Sequence, residues 1–204
     1  MSVDIERASV QIREQRLSSI TGYNGTARDL CDRYDKKDLH NCERSFTQCT
    51  SCSANQVMNQ ICCIQDAAIV EHGPAGCSGD IPGRNLVNRS GRKKRNLPIC
   101  NLKYINTNLT EKDMVYGGEK KLEDAIREAN KRFKPKAIFV TTTCASAIIG
   151  DDIESITNKV EKEIGIPVVD IYCEGFRSAI WATGFDAAYH GILRKIVKPP
   201  RMQK

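Results

Sequence analysis

The chain has 204 residues, 40% of them apolar, and a formal net charge of +6 at pH 7. This length and composition are typical of one soluble globular domain or slightly more. No apolar run approaches the roughly 20 residues that a membrane helix needs, and the N-terminus lacks the apolar core of a secretory signal. We therefore expect a cytoplasmic protein with no membrane partner.

The first part of the chain is polar, with balanced charge and scattered glycine, asparagine and serine. This pattern predicts a partly irregular N-terminal segment over 1–60, with one amphipathic helix near 4–17. An αβα domain is expected over 61–198. The last residues, 199–204, are interpreted as a tail or as the start of a linker to further domains.

From about residue 65 the pattern alternates between strands and helices. Strands are predicted at 67–73, 100–109, 137–144 and 168–173, and helices at 119–133, 149–165 and 185–197. Asp151 or Asp152 is the expected N-cap of the second helix, and Gly165 is its expected stop. Such alternation indicates a parallel sheet with right-handed crossovers. The predicted fold class is α/β, a three-layer αβα domain with a mainly parallel, Rossmann-like sheet.

Three cysteines follow the strands of this predicted sheet. Cys77 comes after the first strand, whereas Cys144 and Cys173 end two others. Parallel sheets bind ligands beyond the carboxyl ends of their strands, so the three cysteines are expected at one rim. A nucleotide is not expected there, because the Gly117–Gly118 doublet lacks the spacing of a dinucleotide-binding loop or a P-loop.

Ten cysteines in a chain without an export signal favour metal or redox chemistry over a disulfide framework. Cys49 and Cys52 have C-x-x-C spacing, which is compatible with zinc, an iron–sulfur centre or a redox pair. No second C-x-x-C follows, so a closed zinc site is poorly supported. Thiolates at separate strand-end turns suit an iron–sulfur cluster, whose iron prefers soft sulfur ligands. The alternative for any single cysteine is a buried, inert thiol.

A basic run carries six positive charges and no negative ones: Arg84, Arg89, Arg92, Lys93, Lys94 and Arg95. It is interpreted as a solvated loop, or as a surface for an anionic ligand or an acidic partner. Nucleic acid ranks last, because the run has no interleaved aromatic residues and no recognisable binding module.

Four motifs occur in order along the chain: HGPAGC (72–77), LTEKDMVYGGEKKL (109–122), TTCASAIIGDDIES (142–155) and CEGFRS (173–178). Together they resemble the N-terminal part of an alpha-type subunit of the nitrogenase component 1 superfamily. That superfamily includes the nitrogenase molybdenum-iron protein alpha chain, cofactor-assembly scaffold proteins and nitrogenase-like reductases. The resemblance spans about 50–190.

The resemblance implies three cluster ligands. Cys77 and Cys144 match the second and third cluster-binding cysteines of the family. The first is expected about 25 residues before Cys77, which selects Cys52, with Cys49 as the fallback. These thiolates would share an 8Fe–7S cluster of the P-cluster type, or a 4Fe–4S cluster, with a beta-type component 1 subunit or a second copy of the chain.

Other residues are assigned roles of less consequence. His72 is interpreted as a capping or packing histidine rather than a ligand. The remaining cysteines are expected to pack in the interior, namely Cys31, Cys42, Cys62, Cys63 and Cys100.

The chain departs from nitrogenase proper at three positions. In that enzyme a glutamine and a histidine follow the CEGFR cysteine by eight and twelve residues and line the active cofactor, but here the residues are Trp181 and Phe185. An arginine of the cofactor pocket is replaced by Asn85. Because the histidine that could donate a proton to substrate is missing, the chain is not expected to reduce dinitrogen by the standard route.

The function predicted from the resemblance is electron relay in a nitrogenase-like oxidoreductase. An ATP-dependent iron protein would dock at the subunit interface, and the cluster would pass its electrons to a deeper substrate or cofactor. The alternative is a scaffold protein for assembly of a nitrogenase-type metal cofactor, and a zinc or redox protein using Cys49 and Cys52 is a third. The subunits of the family have further domains, so no catalytic residue and no complete active site are expected in this chain alone.

Overall fold

The computed structural model describes residues 26, 28, 31–32, 35–36, 52–176 and 182–198. The helix predicted near 4–17 and the predicted tail 199–204 lie outside these residues. The chain divides into two compact units, Met1–Ser45 and Phe46–Lys204, and the second holds the sheet. No helix in the described part is long and apolar enough to cross a membrane.

Four strands and seven α-helices make up the described part of the second unit. The strands are β1 (Ala67–His72), β2 (Tyr104–Asn106), β3 (Ala137–Thr142) and β4 (Val168–Ile171). The helices are α1 (Ser53–Ile61), α2 (Ile81–Lys94), α3 (Glu111–Tyr116), α4 (Glu119–Phe133), α5 (Cys144–Ile149), α6 (Ile153–Ile164) and α7 (Ala182–Lys195). A short 3-10 helix, Ala75–Ser78, follows β1.

The sheet has the strand order β2-β1-β3-β4, and each neighbouring pair is parallel. β1 pairs with β3 along its whole length, from Ala67 opposite Ala137 to His72 opposite Thr142. The chain runs from β1 outward to β2 and then crosses to the other side of β1 to form β3. The loops after β1 and β3 therefore diverge from a topological switch point, the usual position of a ligand site in such sheets.

Helices cover both faces of the sheet. Alternate residues of β1 point to opposite faces, so Ala68 and Val70 lie in one core and Ala67 and Ile69 in the other. The first core is completed by residues of α4 and α6, and the second by residues of α1 and α7. The predicted three-layer αβα fold with a parallel sheet is confirmed.

The two longest helical predictions agree well with the structure. α4 has the predicted bounds. α6 begins after Asp152, whose side chain accepts a hydrogen bond from the Ser155 amide, and it ends at Gly165 in the left-handed conformation. Both helices carry a strong apolar stripe, so the periodicity of their apolar residues predicts them from the sequence.

Four helices were not predicted from the sequence: α1, α2, α3 and α5. α1 lies in the stretch expected to be irregular, although Val57, Met58 and Ile61 give it a buried face. α2 carries the basic run, so the interpretation of that run as a loop was wrong. α2 has no buried residue, and a helix without an apolar stripe gives no periodic signal.

Candidate functional site

The loop after β1 presents Cys77 on a short, anchored turn. Cys77 is exposed in the 3-10 helix, and its amide donates a hydrogen bond to the carbonyl oxygen of Pro74 at 3.1 Å. Pro74 is extended and begins the turn. The thiol is thus held beyond the carboxyl end of β1.

A buried carboxylate supports this turn from below. Glu71 is only 3% exposed, and its Oε2 accepts hydrogen bonds from Ser78 Oγ at 2.9 Å and from Asn106 Nδ2 at 3.0 Å. The Tyr104 hydroxyl donates to the same oxygen. Burial and then the hydrogen bond to Glu71 raise the pKa of Tyr104, so its hydroxyl remains protonated and continues to donate. This cluster joins β1, β2 and the residue next to Cys77.

The loop after β3 presents Cys144 as the first residue of α5. Cys144 is exposed, and Thr143 before it forms a capping box with Ser146. The Thr143 hydroxyl donates to the carbonyl oxygen of His72 at 3.0 Å. A Cβ atom at Gly73 would lie 2.9 Å from Thr143 Cβ, so glycine allows the two loops to touch. The Thr143 side chain therefore connects the loop that leads to Cys144 with the loop that leads to Cys77.

Cys52 reaches the same edge from a helix. It is the exposed N-cap residue of α1, and the start of this helix lies near the carboxyl end of β4. A Cβ atom at Gly175 would lie 2.8 Å from Cys52 Cβ and 3.7 Å from Cys144 Sγ. The loop after β4 therefore passes between these two cysteines. It is tied to α1, because Ser53 Oγ donates to the Cys173 carbonyl oxygen at 2.7 Å.

The three exposed cysteines also share an electrostatic environment. Burial raises the pKa of the Cys77 thiol, and the charges of Glu71, Cys52 and Cys144 raise it further. Within the described residues, no group of three or more His, Cys, Asp or Glu side chains could hold one metal ion. The carboxyl edge of the sheet thus presents three separate thiols, those of Cys52, Cys77 and Cys144, in the same region.

The other residues expected at this rim have structural roles. His72 is fully buried, with Nδ1 3.0 Å from Thr107 Oγ1 and Nε2 2.9 Å from Asp151 Oδ2, as expected for a packing histidine. Cys173 is buried, and its thiol donates to the Thr142 carbonyl oxygen at 3.3 Å. Cys173 follows β4 at the carboxyl edge, as predicted, but its side chain is buried there, and this burial raises its thiol pKa far above the usual range.

The expectation that the remaining cysteines pack in the interior was wrong for three of them. Cys31, Cys63 and Cys100 are exposed, whereas Cys62, the C-cap residue of α1, packs against the core, where burial raises its thiol pKa to about 11. Cys42 and Cys49 lie outside the described residues. Each of the eight described cysteines is a free thiol.

The sequence did not indicate Glu71, Tyr104 or Gly175 as residues of the site. Glu71 had a usable signal, because it is the one charged residue within the buried strand AAIVEH. Tyr104 and Gly175 had none, since their contacts come from distant parts of the chain.

Comparison with known proteins identifies the family. The sequence model described as Nitrogenase component 1 type Oxidoreductase matches residues 52–204. The chain belongs to this family. Proteins of the component 1 family carry iron–sulfur clusters and generally work with a beta subunit and an iron protein.

Relatives of the chain include nitrogenase alpha chains and cofactor biosynthesis proteins. The chain is 38% identical over 138 residues to the nitrogenase molybdenum-iron protein alpha chain of Methanosarcina barkeri, a match that covers 66% of this chain and 25% of that protein. It is 34% identical over 196 residues to the nitrogenase iron-molybdenum cofactor biosynthesis protein NifE of Clostridium pasteurianum, covering 93% of this chain and 40% of that protein. The chain thus spans well under half the length of both relatives.

A solved component 1 structure has the same fold. Nitrogenase Cp1 at pH 6.5 superposes with a TM-score of 0.64 at 33% sequence identity, covering 78% of this chain and 31% of that one. Of the three departures from nitrogenase proper, Trp181 lies outside the described residues and Phe185 is half-buried on α7. Asn85 has a structural role, because its Oδ1 accepts from the Leu102 amide at 2.8 Å.

Proposed function

We propose that this chain is the cluster-carrying part of an alpha-type component 1 subunit of a nitrogenase-like oxidoreductase. Cys52, Cys77 and Cys144 hold an iron–sulfur cluster, and the cluster relays electrons. The observation that carries this proposal is the convergence of three exposed thiols from three separate parts of the chain at the carboxyl edge. Cys52 and Cys144 lie beside Gly175, and the charges of both act on the Cys77 thiol.

The donor set fits a cluster better than a single metal ion. Iron prefers soft sulfur ligands, and the thiolates of one chain can bind different iron atoms of a cluster, so they need not meet at one point. The bound cluster supplies one-electron chemistry. The chain supplies the anchored turns after β1 and β3 and the start of α1. Exposed free thiols of this kind persist in a reducing compartment, which favours the cytoplasm.

The exposed side of the site is the proposed contact with a partner. Three ligands from one chain leave coordination positions that a beta-type subunit or a second copy would fill, as an 8Fe–7S cluster of the P-cluster type or a 4Fe–4S cluster. Two helices that follow β2 and β3 expose apolar side chains, with Val115 75% exposed and Tyr116 80% exposed on α3 and Ile148 exposed on α5. Such a surface suits docking of the ATP-dependent iron protein that donates electrons.

The first test is anaerobic iron and sulfide analysis with EPR spectroscopy. The full chain is coproduced with a beta-type component 1 subunit, as wild type, Cys77→Ala and the control Cys63→Ala, which removes another exposed thiol. We expect matched iron and sulfide in the wild type and in the control, and loss of both in Cys77→Ala. Absence of iron from a folded wild-type complex would overturn the proposal. Zinc alone would favour a zinc or redox protein that uses Cys49 and Cys52.

A scaffold protein for assembly of a nitrogenase-type metal cofactor is the second candidate. The observation that favours it is that three NifE matches cover 90–93% of this chain, although two others cover 55% and 61%, whereas the alpha-chain matches cover 66–67%. The absence of the cofactor-lining histidine, replaced here by Phe185, also favours the scaffold function. Incubation of the iron-loaded complex with iron protein and ATP separates the two functions. Substrate turnover supports the reductase, and transfer of cofactor to an acceptor without turnover supports the scaffold.

A further inference from the structure

The carboxylate beneath the Cys77 turn is buried without a charged partner among the described residues. Glu71 lies at the end of a strand that is otherwise apolar apart from His72, and it is almost fully buried. Burial of a carboxylate is costly unless its charge is compensated. Among the described residues, no ion pair within 4 Å includes Glu71. Its partners are neutral donors.

Three donors from two elements, β2 and the 3-10 helix, converge on one oxygen of this carboxylate. Ser78, Tyr104 and Asn106 all reach Glu71 Oε2. Asn106 Nδ2 also donates to Ser78 Oγ at 2.7 Å, and Ser78 Oγ lies 2.6 Å from the Tyr104 hydroxyl. The donors therefore hold one another in place, and the carboxylate has a fixed position relative to the residue that follows Cys77.

We infer that Glu71 is a positioning residue that places a fixed negative charge beneath Cys77 and lowers the reduction potential of the iron–sulfur cluster. This inference rests on the proposed function. Reduction adds one electron, donated by the iron protein, to the cluster, and no bond is made or broken. A buried negative charge opposes that addition, and the low dielectric around it strengthens the effect. The charge of Glu71 already acts on the thiol of Cys77.

The test is an EPR-monitored redox titration of the anaerobic complex of the full chain with its beta-type subunit. Glu71→Gln keeps the shape and removes the charge, so the potential is expected to move to a more positive value at unchanged iron content. Tyr104→Phe keeps the charge and removes one donor, which leaves the charge less compensated, so the potential is expected to move to a more negative value. The control Glu128→Gln, an exposed carboxylate on α4, should leave the potential unchanged.

The opposite directions of the two expected potential shifts distinguish an electrostatic effect on the cluster from a loosening of the Cys77 turn. A purely structural role would admit water to the cluster in both variants and move both potentials in the same direction. That result, or an unmoved potential in Glu71→Gln, would overturn the inference and leave the proposed function intact. If Glu71→Gln does not fold, Tyr104→Phe decides alone, and no shift or a positive shift contradicts the inference. A wild-type complex without iron would overturn the proposed function and this inference with it.

Discussion

Among single residues, Gly175 lies against two of the proposed ligands. The loop that carries it passes between Cys52 and Cys144, and a methyl group at this position would overlap the Cys52 side chain. Since Ser53 ties the same loop to α1, the overlap cannot be relieved without moving the start of that helix. The distance between two of the thiols thus depends on a residue that binds nothing itself.

We expect Gly175→Ala to lower both the stability and the iron content of the protein. Overpacking of this kind costs about 1–3 kcal/mol, measurable by urea unfolding of the iron-free chain. The control is Gly83→Ala, where the added Cβ meets nothing within 4 Å in the exposed helix α2. There alanine is favoured over glycine by up to about 1 kcal/mol. Equal behaviour of the two variants would contradict the packing argument.

His72 gives the fold a pH dependence near neutrality. Burial lowers the pKa of His72, although the hydrogen bond and charge of Asp151 act in the opposite direction. The unfolded chain takes up this proton near pH 6.5, whereas the folded chain does so only at lower pH. The free energy of unfolding should therefore decrease below pH 6.5, by at most about 1.4 kcal/mol per pH unit from this group.

Urea unfolding of the wild type and of His72→Gln between pH 5.5 and 7.5 checks this expectation. The variant should be less stable at pH 7.5, because Thr107 and Asp151 lose a buried partner. Its stability should also vary less with pH. Parallel curves for the two proteins would assign the dependence to other groups.

Among the secondary-structure elements, α7 is clamped to β4 by a buried carboxylate. Asp170 has a fully buried side chain and pairs with Arg194 and with Lys195, whose Nζ lies 2.9 Å from Oδ1. Lys195 also donates to the Val168 carbonyl oxygen at 2.8 Å. Exposed pairs such as Lys136–Asp66 contribute much less, because water screens them.

We expect Asp170→Asn to cost about 3 kcal/mol, since it leaves two cations beside a buried neutral group. The control Asp66→Asn should cost less than about 1 kcal/mol.

Burial raises the pKa of Asp170, but hydrogen bonds from Lys195 and Arg194 outweigh this effect and hold the pKa below its usual range. The contribution is therefore present above about pH 4 and is lost as the pH falls through the lower folded value. Urea unfolding at pH 7 and pH 3 measures both effects, and an equal loss in both variants at pH 7 would refute the clamp.

Across the whole molecule, charge and apolar surface are distributed unevenly around the sheet. α2 carries no acidic residue, and Leu86 and Val87 on it are exposed. Its inner face is occupied by Arg84, which donates to the Asn55 carbonyl oxygen of α1 at 3.0 Å, and by Asn88. The basic end of α2 is therefore free to meet an acidic surface of a partner.

We expect charge reversal at Lys93→Glu and Lys94→Glu to weaken binding of the beta-type subunit by about tenfold and to reduce its salt dependence. The matched control is Lys131→Glu with Lys134→Glu, two exposed positions at the end of α4. Binding is measured by sedimentation over a range of NaCl concentrations. Unchanged binding of the variant with Lys93→Glu and Lys94→Glu would show that the basic run is only a solvated surface.

The local sequence pattern determined the α/β class, the bounds of α4 and the caps of α6, because helix stripes and caps depend on near neighbours. The motifs also pointed to Cys52, Cys77 and Cys144 as candidate ligands. The tertiary structure alone decided that Gly175 lies between two of these cysteines, that Glu71 lies beneath the third, and that Cys173 is sealed in the core. These arrangements follow from the strand order β2-β1-β3-β4. That order is set by packing between residues far apart in the chain, which no local pattern encodes.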